Sequence, residues 1–166
     1  MSAQENSPVS LVGYRPGFIG RITEVHAIYY HQNWGLDLNF ESQVASELAE
    51  FLARYDSRRD LFQVALSGPL FAGSVVVDGG QEPGAARLRW FIVVPNLQGR
   101  GVGWTLLENA KTFARKAGHK ELYLWTFDGL EAARHLYERA GFQLSEEKQM
   151  HKWGGSIREQ KYVLRF

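Results

Sequence analysis

A buried strand that leads through glycines into an amphipathic helix is the feature that most constrains the fold of this chain. Residues 90–94 are wholly apolar, Pro95 ends the run, and three glycines lie within residues 99–103. From residue 101 to residue 117 the apolar positions recur at helical spacing. Because the strand is apolar on both sides, the chain must cover both faces of a sheet.

Changes in the period of the apolar residues predict the other elements. We expect Asn39 or Ser42 to cap the second helix, and residues 78–84 to form a loose loop between two strands. The sequence predicts strands at 9–15, 61–66, 70–77, 86–94, 121–127, 142–150 and 157–166, and helices at 18–31, after Gly35, at 101–117 and at 131–140.

The order of these elements predicts the class of fold. Antiparallel strands alternate with helical crossovers, which indicates an α+β fold of three layers, α/β/α. The expected sheet is mixed and mostly antiparallel, with about seven strands and about four helices. Residues 1–8 are small and polar and are predicted to be disordered, and residues 9–166 are expected to form a single domain.

Charge and composition exclude several classes of function. Lysine and arginine number 19 against 18 acidic residues, and a net charge of +1 does not favour nucleic acid or an anionic membrane as a partner. The chain has no cysteine, so it has no disulfide and no thiolate. The histidines lack metal-binding spacing, and no metal site is expected. The N-terminus lacks the pattern of a signal peptide, and we expect a cytoplasmic protein.

The glycine-rich turn has the properties of an anion site. The first turn of a helix leaves backbone N–H groups without partners and carries a partial positive charge, which suits a phosphate. Glycines at 99, 101 and 103 would let a pyrophosphate approach this backbone. The turn does not match the dinucleotide pattern G-x-G-x-x-G or the nucleoside-triphosphate loop. On these residues alone, a turn that binds no ligand remains the alternative.

The remaining residues of the turn resemble a known cofactor signature. Gln98, Gly101 and Gly103 form the pattern Q-x-x-G-x-G after a strand that ends in proline. This pattern resembles the coenzyme A pyrophosphate signature of GNAT-superfamily N-acetyltransferases, and the order of elements over almost the whole chain is similar to theirs. The resemblance implies the GNAT fold, with acetyl-CoA as the co-substrate and no metal.

The resemblance also implies which residues hold acetyl-CoA. The backbone amides from Gly99 to Trp104 would bind the pyrophosphate, and the Thr105 hydroxyl would lie close by. The backbone of the preceding strand would pair with the pantetheine arm, and an N–H near Val93 would polarise the thioester carbonyl. The expected cofactor-binding residues are Ile92, Val93, Val94, Gln98, Gly99, Arg100, Gly101, Val102, Gly103 and Trp104.

A second stretch, residues 133–142, resembles the A-x-x-L-Y-x-x-x-G-F pattern of the same enzymes. By this resemblance Tyr137 is the expected general acid, because the thiolate that departs after amine attack needs a proton and tyrosine can supply one. On helical spacing alone, packing of Tyr137 against the sheet is the alternative.

Two positions depart from the family pattern. Leu130 stands where many members place an asparagine that binds the pantetheine arm, and Trp125 stands where some members carry a glutamate that deprotonates the amine. The general base therefore stays open between water and four residues of the first helix, Glu24, His26, Tyr29 and Tyr30.

Aromatic residues make up 13% of the chain, and they fit two interpretations. They would either fill the core or form the walls of a pocket for an apolar or cationic amine. The residues concerned are Tyr29, Tyr30, Trp34, Trp90, Trp125 and Phe127.

The resemblance implies an N-acetyltransferase that moves an acetyl group from acetyl-CoA to a primary amine by direct attack in a ternary complex. The acceptor would be a small molecule or a peptide, and a homodimer is in keeping with the family. The unassigned base and Leu130 leave a non-catalytic acyl-CoA-sensing module as the alternative. The first two helices also resemble the acetyltransferase half of bacterial MarR-GNAT fusion proteins, but we expect no DNA-binding domain in this chain.

Overall fold

The computed structural model describes residues 8–166, in which one sheet of seven strands lies between two pairs of helices. The prediction of disorder for residues 1–7 lies outside the described residues. In chain order the elements are β1 (Val9–Val12), α1 (Phe18–Trp34), α2 (Leu38–Ala53), β2 (Leu61–Ser67), β3 (Leu70–Glu82), β4 (Ala85–Val93), α3 (Val102–Lys116), β5 (Glu121–Phe127), α4 (Glu131–Arg139), β6 (Gln143–Lys152) and β7 (Gly155–Arg165).

The sheet has the order β1-β2-β3-β4-β5-β7-β6. Every neighbouring pair is antiparallel except β4 and β5, which are parallel. The crossover from β4 to β5 is made by α3, as a parallel pair requires. The predicted α+β fold of three layers, with about seven strands and about four helices, is confirmed.

Alternate residues of the central strands supply two separate cores. Val75 and Val77 of β3 pack with α3 and α4, whereas Val76 of the same strand packs with α1 and α2. Because successive side chains of a strand point to opposite faces, the two helix pairs lie on opposite sides of the sheet. The apolar run predicted for β4 therefore passes between two layers of helices.

The structure corrects two local predictions. Asp37, and neither Asn39 nor Ser42, caps α2, because its carboxylate accepts a hydrogen bond of 3.0 Å from the N–H of Asn39. Residues 78–84 do not form a loose loop: β3 continues to Glu82, which pairs with Ala85 at the start of β4.

Strand β4 contains a β-bulge at Trp90. Two residues, Trp90 and Phe91, lie opposite the single residue Val75 of β3. Trp90 has a φ of 43°, in the left-handed region that non-glycine residues rarely adopt. The buried Ser74 hydroxyl donates a 2.7 Å hydrogen bond to the Trp90 carbonyl and helps to hold the bulge.

The bulge bends β4 away from β5. The two strands pair only between Ala85–Arg87 and Glu121–Tyr123, at the start of each strand. Beyond these residues the strands diverge, so the middle of the sheet opens into a wedge-shaped cleft. Strand β7 continues the sheet on the far side, where it pairs with β5 over the whole length of β5.

A buried ionic network fixes α2 to β3 and β4 beside this cleft. The fully buried Asp78 carboxylate accepts hydrogen bonds of 2.9 and 2.6 Å from the Arg54 guanidinium, and one of 3.3 Å from Arg89. Arg89 also donates to Glu47 of α2. Burial alone would raise the pKa of Asp78, but the bonds from Arg54 and from the Gly80 N–H, with the charges of Arg54 and Arg89, lower that pKa to about 2.

We expect Asp78→Asn to lower the free energy of unfolding by about 3 kcal/mol at pH 7, because two arginines lose their buried counter-charge. Because the pKa of Asp78 is lower in the folded than in the unfolded protein, the ionised carboxylate stabilises the fold at pH values above the ordinary pKa of aspartate. This stabilisation is lost as the pH falls towards about 2. Urea denaturation of wild type and variant should therefore show a smaller difference at pH 3 than at pH 7.

Glu24→Gln is the matched control for this prediction. It removes one carboxylate from the ion pair with Arg21, in which the Glu24 side chain is 52% exposed, so the expected loss is less than about 1 kcal/mol. Equal losses from Asp78→Asn and Glu24→Gln would contradict a structural role for the buried network.

Candidate functional site

The cleft between β4 and β5 has a volume of about 1040 Å³. Its walls come from both diverging strands, from the start of α3, and from residues of α1, α2 and α4. The cleft therefore receives side chains from both faces of the sheet, because the bulge has opened the sheet between the two helix layers.

The peptide of Val93 faces this cleft. The N–H of Val94 donates a 3.0 Å hydrogen bond to the Ala72 carbonyl, on the β3 side of the strand. In a strand the N–H and carbonyl of one residue point to the same edge, and those of the next residue point to the opposite edge. The N–H and carbonyl of Val93 therefore point towards β5. The Gln98 side-chain amide donates to the Val93 carbonyl at 3.1 Å and ties the glycine-rich turn to the strand.

The start of α3 presents backbone donors beside this strand edge. The first intrahelical bond runs from the Thr105 N–H to the Gly101 carbonyl, at 3.0 Å. The N–H groups of Val102, Gly103 and Trp104 precede this bond and have no acceptor within the helix. Together with the helix dipole, they form a site suited to a phosphate group.

The three glycines of the turn have two different physical roles. Gly99 and Gly101 have φ values of 77° and 83°, which disfavour any residue with a Cβ. A Cβ at Gly103 would lie 3.3 Å from Leu136 and 3.5 Å from Phe91. Gly103 is therefore explained by the close packing of α3 against α4 and β4, and not by access to the backbone alone.

The predicted cofactor-binding residues lie together at the cleft, with three exceptions. Val94 and Val102 turn their side chains into the two cores, and Arg100 lies on the exposed part of the turn. The predicted residues that line the cleft are Ile92, Val93, Gln98, Gly99, Gly101, Gly103 and Trp104.

Tyr137 reaches the cleft from α4. Its side chain is 5% exposed, and its ring lies 5.9 Å from that of Phe91 and 6.0 Å from that of Tyr162. Burial raises the pKa of Tyr137, and the neighbouring Tyr30 hydroxyl raises it further. Tyr137 is thus protonated at neutral pH, the state in which a tyrosine hydroxyl can donate a hydrogen bond or a proton.

His26 reaches the cleft from α1, on the other face of the sheet. Its Nδ1 lies 2.8 Å from the Ile22 carbonyl, and because a carbonyl only accepts, Nδ1 carries the hydrogen. Burial lowers the pKa of His26 to about 4, against the opposing effect of the bond to Ile22. At neutral pH the ring is therefore uncharged, with an unprotonated Nε2.

The other candidate bases are less suited to accept a proton. Glu24 is exposed, pairs with Arg21 at 2.6 Å and does not line the cleft. Burial and the neighbouring Tyr29 raise the pKa of Tyr30, so its hydroxyl stays protonated. Tyr29 lines the cleft and packs edge-on against Tyr30.

An aromatic cluster lines the cleft beside the end of α1 and the β6–β7 turn. The Tyr30 ring lies 5.5 Å from that of Trp34 and 5.3 Å from that of Phe127. Trp125 also lines the cleft, with the Lys148 ammonium 4.3 Å from the centre of its ring. Both interpretations of the aromatic residues, core packing and a pocket wall, therefore apply, because these residues pack against one another and also line the cleft.

Sequence reasoning missed six charged residues that line the cleft: Arg87 and Arg89 of β4, with Glu47, Glu131, Arg139 and Glu159. A signal was present, because Arg87 and Arg89 are two residues apart on a strand and must share a face. The departures at Trp125 and Leu130 both fall on the lining of the same cleft.

Within residues 8–166, no three histidine or acidic side chains are grouped so as to hold a metal ion. In the same part of the chain, no helix combines the length and the apolar character needed to span a bilayer.

Comparisons with known proteins agree with this architecture. An uncharacterised N-acetyltransferase of Schizosaccharomyces pombe is 30% identical over 118 residues, which are 70% of this chain and 72% of the relative. An acetyltransferase of the GNAT family from Streptococcus pneumoniae has the same fold, with a TM-score of 0.72 and 17% identity over 96% of this chain and 100% of that one.

A protein of Salmonella typhimurium, solved with its cofactor acetyl-CoA, also shares the fold. The TM-score is 0.71, with 16% identity over 95% of this chain and 93% of that one. The model of the acetyltransferase (GNAT) family matches residues 21–142, a span that includes most of α1, the glycine-rich turn and α4. The chain therefore belongs to the acetyltransferase (GNAT) family.

Proposed function

We propose that this protein is a cytoplasmic N-acetyltransferase that transfers the acetyl group of acetyl-CoA to a primary amine in a ternary complex. The observation that carries the proposal is the meeting of three features in one cleft. These are a strand edge with the Val93 peptide turned outwards, the backbone donors at the start of α3, and the protonated hydroxyl of Tyr137.

The residues of the cleft fit acetyl-CoA. The N–H groups of Val102, Gly103 and Trp104 would bind the pyrophosphate, each hydrogen bond to a charged oxygen contributing about 1.5–3 kcal/mol. The Val93 peptide would pair with the pantetheine arm as a neighbouring strand does. Acetyl-CoA supplies an acetyl group activated as a thioester.

The two proton-transferring groups lie on opposite faces of the sheet. His26 Nε2 accepts a proton from the attacking amine, directly or through a water molecule, as the new C–N bond forms. Tyr137 donates its proton to the sulfur as the C–S bond breaks. The Val93 N–H faces the cleft and is placed to stabilise negative charge on the carbonyl oxygen between these two events.

The presence of both His26 and Tyr137 in the cleft supports catalysis over the non-catalytic acyl-CoA-sensing module. A homodimer and a small-molecule or peptide acceptor remain predictions from the resemblance. The likeness of the first two helices to MarR-GNAT fusion proteins stays a hypothesis, and we propose no function from it.

We expect Tyr137→Phe to lower kcat by roughly 10²–10⁴ while the dissociation constant for coenzyme A stays unchanged, because only the proton donor is removed. Thiol release and calorimetry measure the two quantities. Tyr162→Phe is the control, since it removes a hydroxyl from another buried tyrosine that does not line the cleft. An unchanged rate in Tyr137→Phe would exclude this tyrosine from catalysis.

We expect His26→Asn to lower kcat by roughly 10² at pH 7, since water must replace the imidazole as the proton acceptor. The rate of the variant should rise with pH as hydroxide takes over this role, more steeply than that of wild type. His31→Asn is the matched control, because exposed His31 lies on the same helix and also bonds a backbone carbonyl, that of Leu36, at 2.9 Å. Parallel pH profiles for His26→Asn and wild type would contradict the role of His26.

We expect Thr105→Glu to weaken coenzyme A binding tenfold or more, while the protein becomes no less stable. A carboxylate in the first turn of α3 repels a pyrophosphate but interacts favourably with the helix dipole. The exposed Thr112 of the same helix provides the control, Thr112→Glu, since seven residues of helix place it about 10 Å further from the site. Calorimetry measures the affinity, and equal affinities for the two variants would place the pyrophosphate elsewhere.

A further inference from the structure

Arg87 and Arg89 lie two residues apart on β4 and both line the cleft, but they differ in their partners. The Arg89 guanidinium donates to Asp78 and to Glu47 and lies 4.1 Å over the ring of Trp90. Arg89 is therefore a structural residue whose charge is paired with two carboxylates. The same is not true of Arg87.

Arg87 has no hydrogen-bond or ion-pair partner among the described residues. Its Nε is buried without a hydrogen-bond partner, and no carboxylate of residues 8–166 lies within ion-pair distance of its guanidinium. Burial and the charge of Arg89 lower the pKa of Arg87, and the opposing effects of Tyr123, Glu47 and Asp78 offset this only in part. A largely buried cation without a direct partner is unfavourable for folding, so its presence in a cleft points to a ligand.

The nearest groups do not explain Arg87 as part of the fold. Asp78 lies opposite Arg87 in the β3–β4 ladder but is engaged by Arg54 and Arg89. Glu47 is engaged by Arg89, and the Tyr123 hydroxyl donates to Glu82 at 3.4 Å. Arg87 lies opposite Tyr123 at the last paired position of β4 and β5, which is the narrow end of the cleft. A rise of about 3.3 Å per residue places it within about 20 Å of Val93, a distance that an acceptor and its contacts can span.

We propose that Arg87 binds a carboxylate of the acceptor, so that the substrates are amines that also carry an acidic group. This inference rests on the proposed function of the cleft. A planar guanidinium binds a carboxylate through two parallel hydrogen bonds. Glu47 and Glu159 line the same cleft, and their charges disfavour a more highly charged phosphate.

Matched amines test this proposal through turnover. The pairs are 4-(aminomethyl)benzoate with benzylamine, 6-aminohexanoate with pentylamine, and 12-aminododecanoate with undecylamine. In each pair a hydrogen atom replaces the carboxylate, and the distance from amine to carboxylate increases along the series. We expect wild type to have a kcat/KM at least tenfold higher for the acid in one pair or more, and Arg87→Met to abolish this preference. Arg58→Met is the control, because the Arg58 side chain is 88% exposed. Equal kcat/KM values for acid and amine in every pair would overturn the inference and leave the proposed function standing.

A second measurement does not depend on turnover. Benzoate should raise the Tm of wild type and of Arg58→Met but not that of Arg87→Met, and benzyl alcohol should raise none of them. Without ligand, Arg87→Met should unfold at the same temperature as wild type or higher, since it removes a largely buried charge that has no direct partner. A lower Tm for Arg87→Met, or equal stabilisation of all three proteins by benzoate, would show a structural arginine and overturn the inference, even if no amine is acetylated.

Discussion

The divergence of β4 from β5 is the constraint on which the rest of this structure depends. Two parallel strands that paired along their whole length would leave no free peptide in the middle of the sheet. The bulge at Trp90, held by the Ser74 hydroxyl, ends the pairing after Arg87 and exposes the edge of β4. The interior of the fold thereby gains a row of backbone donors that would otherwise be hidden in a ladder.

The cleft in the sheet also brings together polar side chains from the helix layers on its two faces. Tyr137 belongs to the core under α3 and α4, and His26 lies on the α1 side. Burial raises the pKa of Tyr137 and lowers the pKa of His26, so the tyrosine stays protonated and the histidine stays uncharged. At neutral pH the cleft thus holds a protonated tyrosine and an uncharged histidine, the states from which the proposed proton transfers start.

The sequence predicted the parts of the fold that depend on local chemistry. Glycines at 99 and 101 are required by a left-handed backbone, and such a requirement can be recognised from the residues alone. The bulge could not be predicted in this way, because tryptophan is an unfavourable residue at a positive φ and its conformation is imposed by β3. Asp37 was missed as a cap because it lies before the apolar pattern of α2 begins. The spacing of Arg87 and Arg89 indicates that they share a face of β4, but it does not show that Arg87 lacks a partner, because that depends on residues distant in the sequence.

Backbone amide exchange measured by NMR, with and without coenzyme A, tests the central claim most directly. If the ligand lies along the open edge of β4 and against the start of α3, the N–H groups of Val93, Val102, Gly103 and Trp104 become protected from exchange. The N–H of Val94 already bonds to β3 and should change little. Binding with protection elsewhere and no change at these four amides would contradict the account.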